Sequence, residues 1–70
     1  MGQNKNEGDP FLTLAEECSE VIQVITKKYR FDGTWDDIPP GHTITRREAL
    51  LDEMIDVSYQ IDRVLKELQK

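Results

Sequence analysis

The sequence contains one cysteine, one tryptophan, two tyrosines and two phenylalanines among its 70 residues, and it has no long apolar run. A single cysteine cannot form an internal disulfide. One cysteine and one histidine in the whole chain are also too few for a clustered Cys–His zinc site. Because a long apolar run is absent, we expect a cytoplasmic protein with neither a membrane span nor a signal peptide. Nine basic residues against fourteen acidic ones disfavour binding to nucleic acid or to an anionic membrane.

The length of the chain allows one small domain. Residues 1–9 are polar and aperiodic, and we predict that they form a disordered tail before a single domain at residues 10–70. A chain of this size buries little apolar surface by itself. We therefore expect the chain to self-associate.

Apolar residues recur at helical spacing in two segments. The first helix is predicted to start at Asp9-Pro10 or at the capping box Thr13–Glu16, and to end at Tyr29 or Arg30. Residues 31–45 are rich in Gly and Pro and predict an ordered loop, after which the capping box Thr45–Glu48 opens the second helix. The fold class expected is all-α, an antiparallel helical hairpin that forms a four-helix bundle by homo-oligomerisation. The predicted apolar stripes are Leu14, Cys18, Val21, Ile22, Ile25 and Tyr29, then Leu50, Met54, Val57, Ile61, Val64, Leu65 and Leu68.

Five acidic residues stand beside these stripes, and no Lys or Arg lies three or four positions from any of them. Like charges at this spacing destabilise a helix, by roughly 1–2 kcal/mol in total for the pairs concerned. A hard divalent cation held by carboxylate oxygens would remove that repulsion. We therefore predict a site for Mg²⁺, with Mn²⁺ as a possible substitute. Its predicted ligands are Glu16, Glu17, Glu20, Glu53 and Asp56.

Helical geometry predicts that the two acidic groups meet. At 3.6 residues per turn both lie on one flank of their stripe, and in an antiparallel hairpin the two flanks face the same side. Their distances from the loop differ by only about 4 Å. Lys27 and Arg46 lie one to two turns nearer the loop, an arrangement that suits a polyphosphate carried by Mg²⁺. Trp35 in the loop either stacks on a nucleobase or anchors the loop.

The same residues resemble a known family. Leu14–Gln23, followed by Thr26–Phe31, resembles the first motif helix (E-E-x-x-E) of MazG-like all-α nucleoside triphosphate pyrophosphohydrolases. Residues 47–56 resemble their second motif, E-x-x-D. The resemblance covers residues 12–65, although many members have Asn where this chain has Arg46. It implies Mg²⁺-dependent hydrolysis of a nucleoside triphosphate to the monophosphate and pyrophosphate, and assembly as a homodimer or a homotetramer. By resemblance the acids of the site are Glu16, Glu17, Glu20, Glu53 and Asp56.

The predicted mechanism assigns a role to each group. Glu17 or Glu20 accepts a proton from the attacking water, and Lys27 with Arg46 bears the charge on the departing pyrophosphate. Cys18 and His42 are interpreted as structural residues. Two other interpretations remain: a protein that binds a nucleotide at the same carboxylate–metal site without turnover, and a helical module whose acidic flank binds a basic partner protein.

Overall fold

The computed structural model describes residues 8–70, which form two α-helices and no strand. Helix α1 spans Pro10–Arg30 and helix α2 spans Arg46–Leu68. They run antiparallel, because Glu20 approaches Glu53 while Lys27, nearer the loop, shares a cavity with Arg46. The all-α prediction is confirmed for these residues. Neither helix within 8–70 is long and apolar enough to cross a membrane.

Helix α1 starts at the earlier of the two predicted positions. The Asp9 carboxylate accepts hydrogen bonds from the backbone N–H groups of Phe11 and Leu12, at 2.9 and 3.3 Å, and Pro10 occupies the first turn. A carboxylate here caps free N–H groups and also faces the positive end of the helix dipole. The first seven residues of the predicted tail lie outside the described part of the chain, and Asp9, its last residue, is this N-cap.

The C-terminus of α1 turns the chain sharply into the loop. The Asp32 N–H donates to the Tyr29 carbonyl and the Gly33 N–H donates to the Lys28 carbonyl, which is the Schellman pattern. The pattern requires a left-handed residue, and Asp32 supplies it with φ 53°. Asp tolerates this conformation better than most residues with a Cβ atom. The chain is thereby directed back toward α2.

The loop is tied to the start of α2 by backbone hydrogen bonds. Carbonyls of Asp37 and Trp35 accept from the N–H groups of Arg46 and Arg47 at 3.0 and 2.8 Å. The predicted capping box is present, because Thr45 Oγ1 accepts from the Glu48 N–H and the Glu48 carboxylate accepts from the Thr45 N–H. These bonds satisfy the first N–H groups of the helix within the chain itself. The loop is therefore ordered, as predicted.

The two helices enclose very little apolar volume. Among residues 8–70, Val64 is the only hydrophobic side chain that is buried, and Ile22, Tyr29 and Leu68 in the predicted stripes are each more than 60% exposed. The reason is geometric, because two packed helices exclude solvent only from the side chains along their line of contact. On one side of this line lies a shallow apolar groove that includes Val21, Ile22 and Met54. The four-helix bundle predicted from the sequence would need a second hairpin on this face.

Candidate metal and phosphate site

Three of the five predicted acids converge between the helices. Glu17 and Glu20 lie one turn apart on α1, and Glu53 faces them from α2, with one carboxylate oxygen of each within 4.8 Å of the others. In an Mg²⁺ octahedron neighbouring ligand oxygens are about 3 Å apart and opposite ones about 4.2 Å, so the three side chains would have to move closer together to share one ion. The antiparallel register that the sequence predicted is what brings the two helices' acids to one level.

Two oxygens of this cluster are buried without a hydrogen-bond partner, Glu17 Oε1 and Glu53 Oε1. Burial, a hydrogen bond with Glu20 and the negative charges of Glu20, Glu17 and Asp56 together raise the pKa of Glu53 to about 7, burial contributing most. In the absence of a cation, this carboxyl therefore holds a proton near neutral pH. A buried carboxylate oxygen without a hydrogen-bond partner is unfavourable unless a proton or a cation compensates its charge.

The pKa of Glu17 is also raised. Burial raises its pKa most, followed by the charges of Glu20 and Asp56, whereas a hydrogen bond with Glu53 lowers it and Glu16 raises it slightly. Asp56 and Glu16 thus act on the cluster through their charges, but neither belongs to the group of three whose oxygens approach within ligand distance. The five predicted ligands therefore divide into a central three and two flanking acids.

The donor set fits a hard divalent cation. Carboxylate oxygens are the ligands that Mg²⁺ and Mn²⁺ prefer, and Mg²⁺ commonly takes one or two carboxylates, keeps several waters and binds substrate phosphates. The two buried oxygens without partners supply the local negative charge that such an ion requires. The residues present can hold one Mg²⁺ ion and leave coordination positions open.

A cavity of about 850 Å³ extends from these acids toward the loop. Glu20 and Glu53 line one end, and Lys27 from α1 and Arg46 from α2 line it nearer the loop. A cavity of this size lies within the range of small-molecule sites. It combines carboxylates for a cation with two positive side chains for an anion, which is the charge pattern of a Mg²⁺–polyphosphate complex.

Arg46 is the buried charged residue of this cavity, with 8% of its surface exposed. Its Nε has no hydrogen-bond partner among residues 8–70. Arg46 contributes only weakly to lowering the pKa of Asp37, which is lowered mainly by hydrogen bonds from Thr34. A buried guanidinium with an unused donor is costly, typically by 1–3 kcal/mol or more for a charged group, unless an anion meets it.

Gly33 is the residue that lets the loop lie against Arg46. A Cβ atom added at Gly33 would stand 2.7 Å from Arg46 Nε and 2.8 Å from Cζ. We expect Gly33→Ala to displace the guanidinium, which is the movable end of the Arg46 side chain, and to lower the free energy of unfolding by about 1 kcal/mol, as measured by denaturant titration. Gly8→Ala is the matched control, because an added Cβ there meets nothing within 4 Å and stability should not change.

The same prediction can be tested by a double-mutant cycle. In an Arg46→Ala background the added methyl group has no guanidinium to displace, so Gly33→Ala should then have little effect. If Gly33→Ala destabilised both backgrounds equally, the close approach of the loop to Arg46 would not be the cause.

Trp35, Cys18 and His42 lie in different parts of the molecule, and of these three only His42 lines the large cavity. Trp35 is half-buried with its ring 5.3 Å from Lys28 Nζ, and it is not among the residues that line the large cavity. Its proposed stacking on a nucleobase stays a prediction. Cys18 is a free thiol in the shallow apolar groove. His42 lines the large cavity, which the sequence did not indicate because a lone loop histidine carries no periodic signal.

The chain was compared with protein families, curated protein sequences and solved structures. No protein-family model matches the chain, and no curated protein sequence or solved structure matches it either. The resemblance to the MazG-like pyrophosphohydrolases therefore rests on the motif residues of the sequence alone.

Proposed function

We propose that this chain is a Mg²⁺-dependent nucleoside triphosphate pyrophosphohydrolase, which converts a nucleoside triphosphate and water to the monophosphate and pyrophosphate. The observation that carries the proposal is the convergence of Glu17, Glu20 and Glu53, with two buried oxygens that have no partner. The neighbouring cavity, with Lys27 and Arg46 along its wall, supports a phosphate chain as the ligand.

In this mechanism the three central glutamates would hold the cation, and Asp56 and Glu16 would add negative charge beside it. A bound Mg²⁺ would polarise phosphoryl oxygens and lower the pKa of a coordinated water. Glu17 or Glu20 accepts the proton of the attacking water, whichever has an oxygen free of the metal. Lys27 and Arg46 neutralise the phosphate chain and the charge that develops when the bond between the α and β phosphates breaks.

The proposed site belongs to an assembly of two or more copies. The apolar groove and the exposed side chains of the predicted stripes support a second hairpin packed against α1 and α2. Burial of these side chains would contribute about 25 cal/mol per Å² of apolar surface, which a single hairpin of this length lacks. We propose that a homodimer or a homotetramer completes a four-helix bundle.

The test of the function is a panel of nucleoside triphosphates incubated with the protein and Mg²⁺, with the phosphorus products resolved by ³¹P NMR. Monophosphate and pyrophosphate are the expected products, and Glu20→Gln should lower the rate by about 10²-fold or more. Glu67→Gln is the matched control: it makes the same chemical change in the last turns of α2, where Glu67 pairs with Lys70 at the surface.

Each product pattern discriminates between hypotheses. Release of orthophosphate instead of pyrophosphate would contradict the reaction proposed. Mg²⁺-dependent binding of a triphosphate without any product would favour the sequestering protein that uses the same site.

A further inference from the structure

The large cavity has an apolar wall that phosphate groups cannot use. At the loop end, Phe31, Pro39, Pro40 and Ile44 line it, and the Phe31 and Ile44 side chains are 64% and 37% exposed. A phosphate chain is hydrated and charged, so it gains nothing from contact with these side chains. The wall therefore fits a different part of the ligand, one with apolar faces.

The cavity also fixes the order of the contacts along α1. Glu20, Gln23, Lys27 and Phe31 lie on one face of the helix at successive turns, and all four line the cavity. Glu20 and Phe31 are about 16 Å apart along the helix axis at 1.5 Å per residue. This distance is comparable with the length of an extended nucleoside triphosphate, with Lys27 beside the phosphates between the two ends.

We infer that the wall formed by Phe31, Pro39, Pro40 and Ile44 is the subsite for the nucleobase, and that it selects a nucleotide over a bare polyphosphate. This inference rests on the proposed function and adds to it the residues that recognise the ring. The planar base packs against Phe31 and the proline rings, since every base offers a flat face for stacking. Gln23, whose amide both donates and accepts, lies between Glu20 and Lys27 and therefore faces the phosphate chain rather than the base.

This assignment gives the aromatic contact to Phe31, not to Trp35. Phe31 lines the cavity, whereas the Trp35 ring lies near Lys28 Nζ. In the sequence, Phe31 is the end of the segment that resembles the family's first motif, and no contact with a base is predicted for it there. Its role follows from its position at the C-cap of α1, where it lines the same cavity as Pro39 and Pro40 of the returning loop.

The test compares two probes by calorimetry in the presence of Mg²⁺: inorganic tripolyphosphate, and a nucleoside triphosphate with a non-hydrolysable α,β-methylene bridge. The nucleotide should bind about 10-fold or more tightly than tripolyphosphate. Phe31→Ala should remove this preference and leave tripolyphosphate binding unchanged, and Phe31→Leu should remove most of it. Phe11→Ala, the same change at the opposite end of α1, should leave both affinities unchanged.

The outcomes separate this inference from the function on which it rests. If tripolyphosphate and the nucleotide bind equally and Phe31→Ala alters neither, the base subsite is wrong and the phosphate site stands. If neither probe binds with Mg²⁺, the proposed function and the base subsite are both overturned. Retained binding of tripolyphosphate by Phe31→Ala also shows that the variant is folded.

Discussion

Magnesium is expected to raise the unfolding temperature of the wild-type chain and to leave that of Glu53→Gln unchanged. The proposed site would bind the ion only in the folded state, where Glu17, Glu20 and Glu53 are held together, because the unfolded chain has no such cluster. At a concentration about 100 times the dissociation constant, such binding stabilises by about 2.7 kcal/mol. In a domain this small that corresponds to an increase on the order of 10 °C, measurable by thermal denaturation with circular dichroism.

Without metal, we expect the Glu53→Gln variant to be more stable than the wild type, whereas with Mg²⁺ the wild type gains stability and the variant does not. Glu53→Gln removes one of three clustered negative charges, so the metal-free variant should be more stable than the metal-free wild type at pH 8. Glu67→Gln is the control and should respond to Mg²⁺ as the wild type does. An equal response of wild type and Glu53→Gln to Mg²⁺ would mean that the ion binds elsewhere.

In the absence of metal, the stability of the protein is expected to fall as the pH rises from about 4.5 to about 7. The folded state raises the pKa of Glu53 from 4.5 to about 7, so over this interval the folded chain keeps a proton that the unfolded chain has lost. The unfolded state then binds fewer protons, and the free energy of unfolding decreases with pH. The stabilisation is fully present below pH 4.5 and is lost once the pH passes 7.

The size of this change is set by the pKa difference. A shift from 4.5 to about 7 corresponds to about 3 kcal/mol as an upper value, and partial exposure of Glu53 reduces it. Glu17, whose pKa is also raised, adds in the same direction. Urea unfolding in the presence of EDTA at pH 5.5 and pH 8 measures the difference, which Glu53→Gln should largely abolish. A wild-type stability that is constant or increases over this interval would contradict the burial of the cluster.

The same protonation predicts that Mg²⁺ binding releases protons. The cation requires ionised carboxylates, so its affinity should increase with pH until about pH 7 and then level off. The proton and the metal therefore compete for one group of oxygens.

The regular parts of the molecule were predictable from the sequence. Helical periodicity and the Thr45–Glu48 capping box gave the end of α1 and the start of α2 to within a residue, because both signals are local. The approach of Glu17, Glu20 and Glu53 was predictable as well, since it follows from helix geometry and an antiparallel connection. The sequence did not show that Glu16 and Asp56 would lie outside this group of three, because that depends on the side-chain positions of both helices together.

The cavity near the loop could not be derived from the sequence. Its shape depends on irregular contacts, such as those of the Asp37 and Trp35 carbonyls with α2, which leave no periodic pattern. The burial of Arg46 depends on the absence of a side chain at Gly33, and nothing local to Arg46 indicates it. The stripes predicted a buried core, but one hairpin cannot cover them, and their burial would need the further copies proposed above.

The central claim is that Glu17, Glu20 and Glu53 hold a divalent cation, and anomalous diffraction from crystals grown with Mn²⁺ tests it most directly. The account predicts an anomalous peak between the three side chains, with carboxylate oxygens about 2.1 Å from the ion. It also predicts that the peak is absent from crystals of Glu53→Gln. A wild-type map with no peak between these glutamates, or with manganese bound only at other acidic residues, would contradict the account.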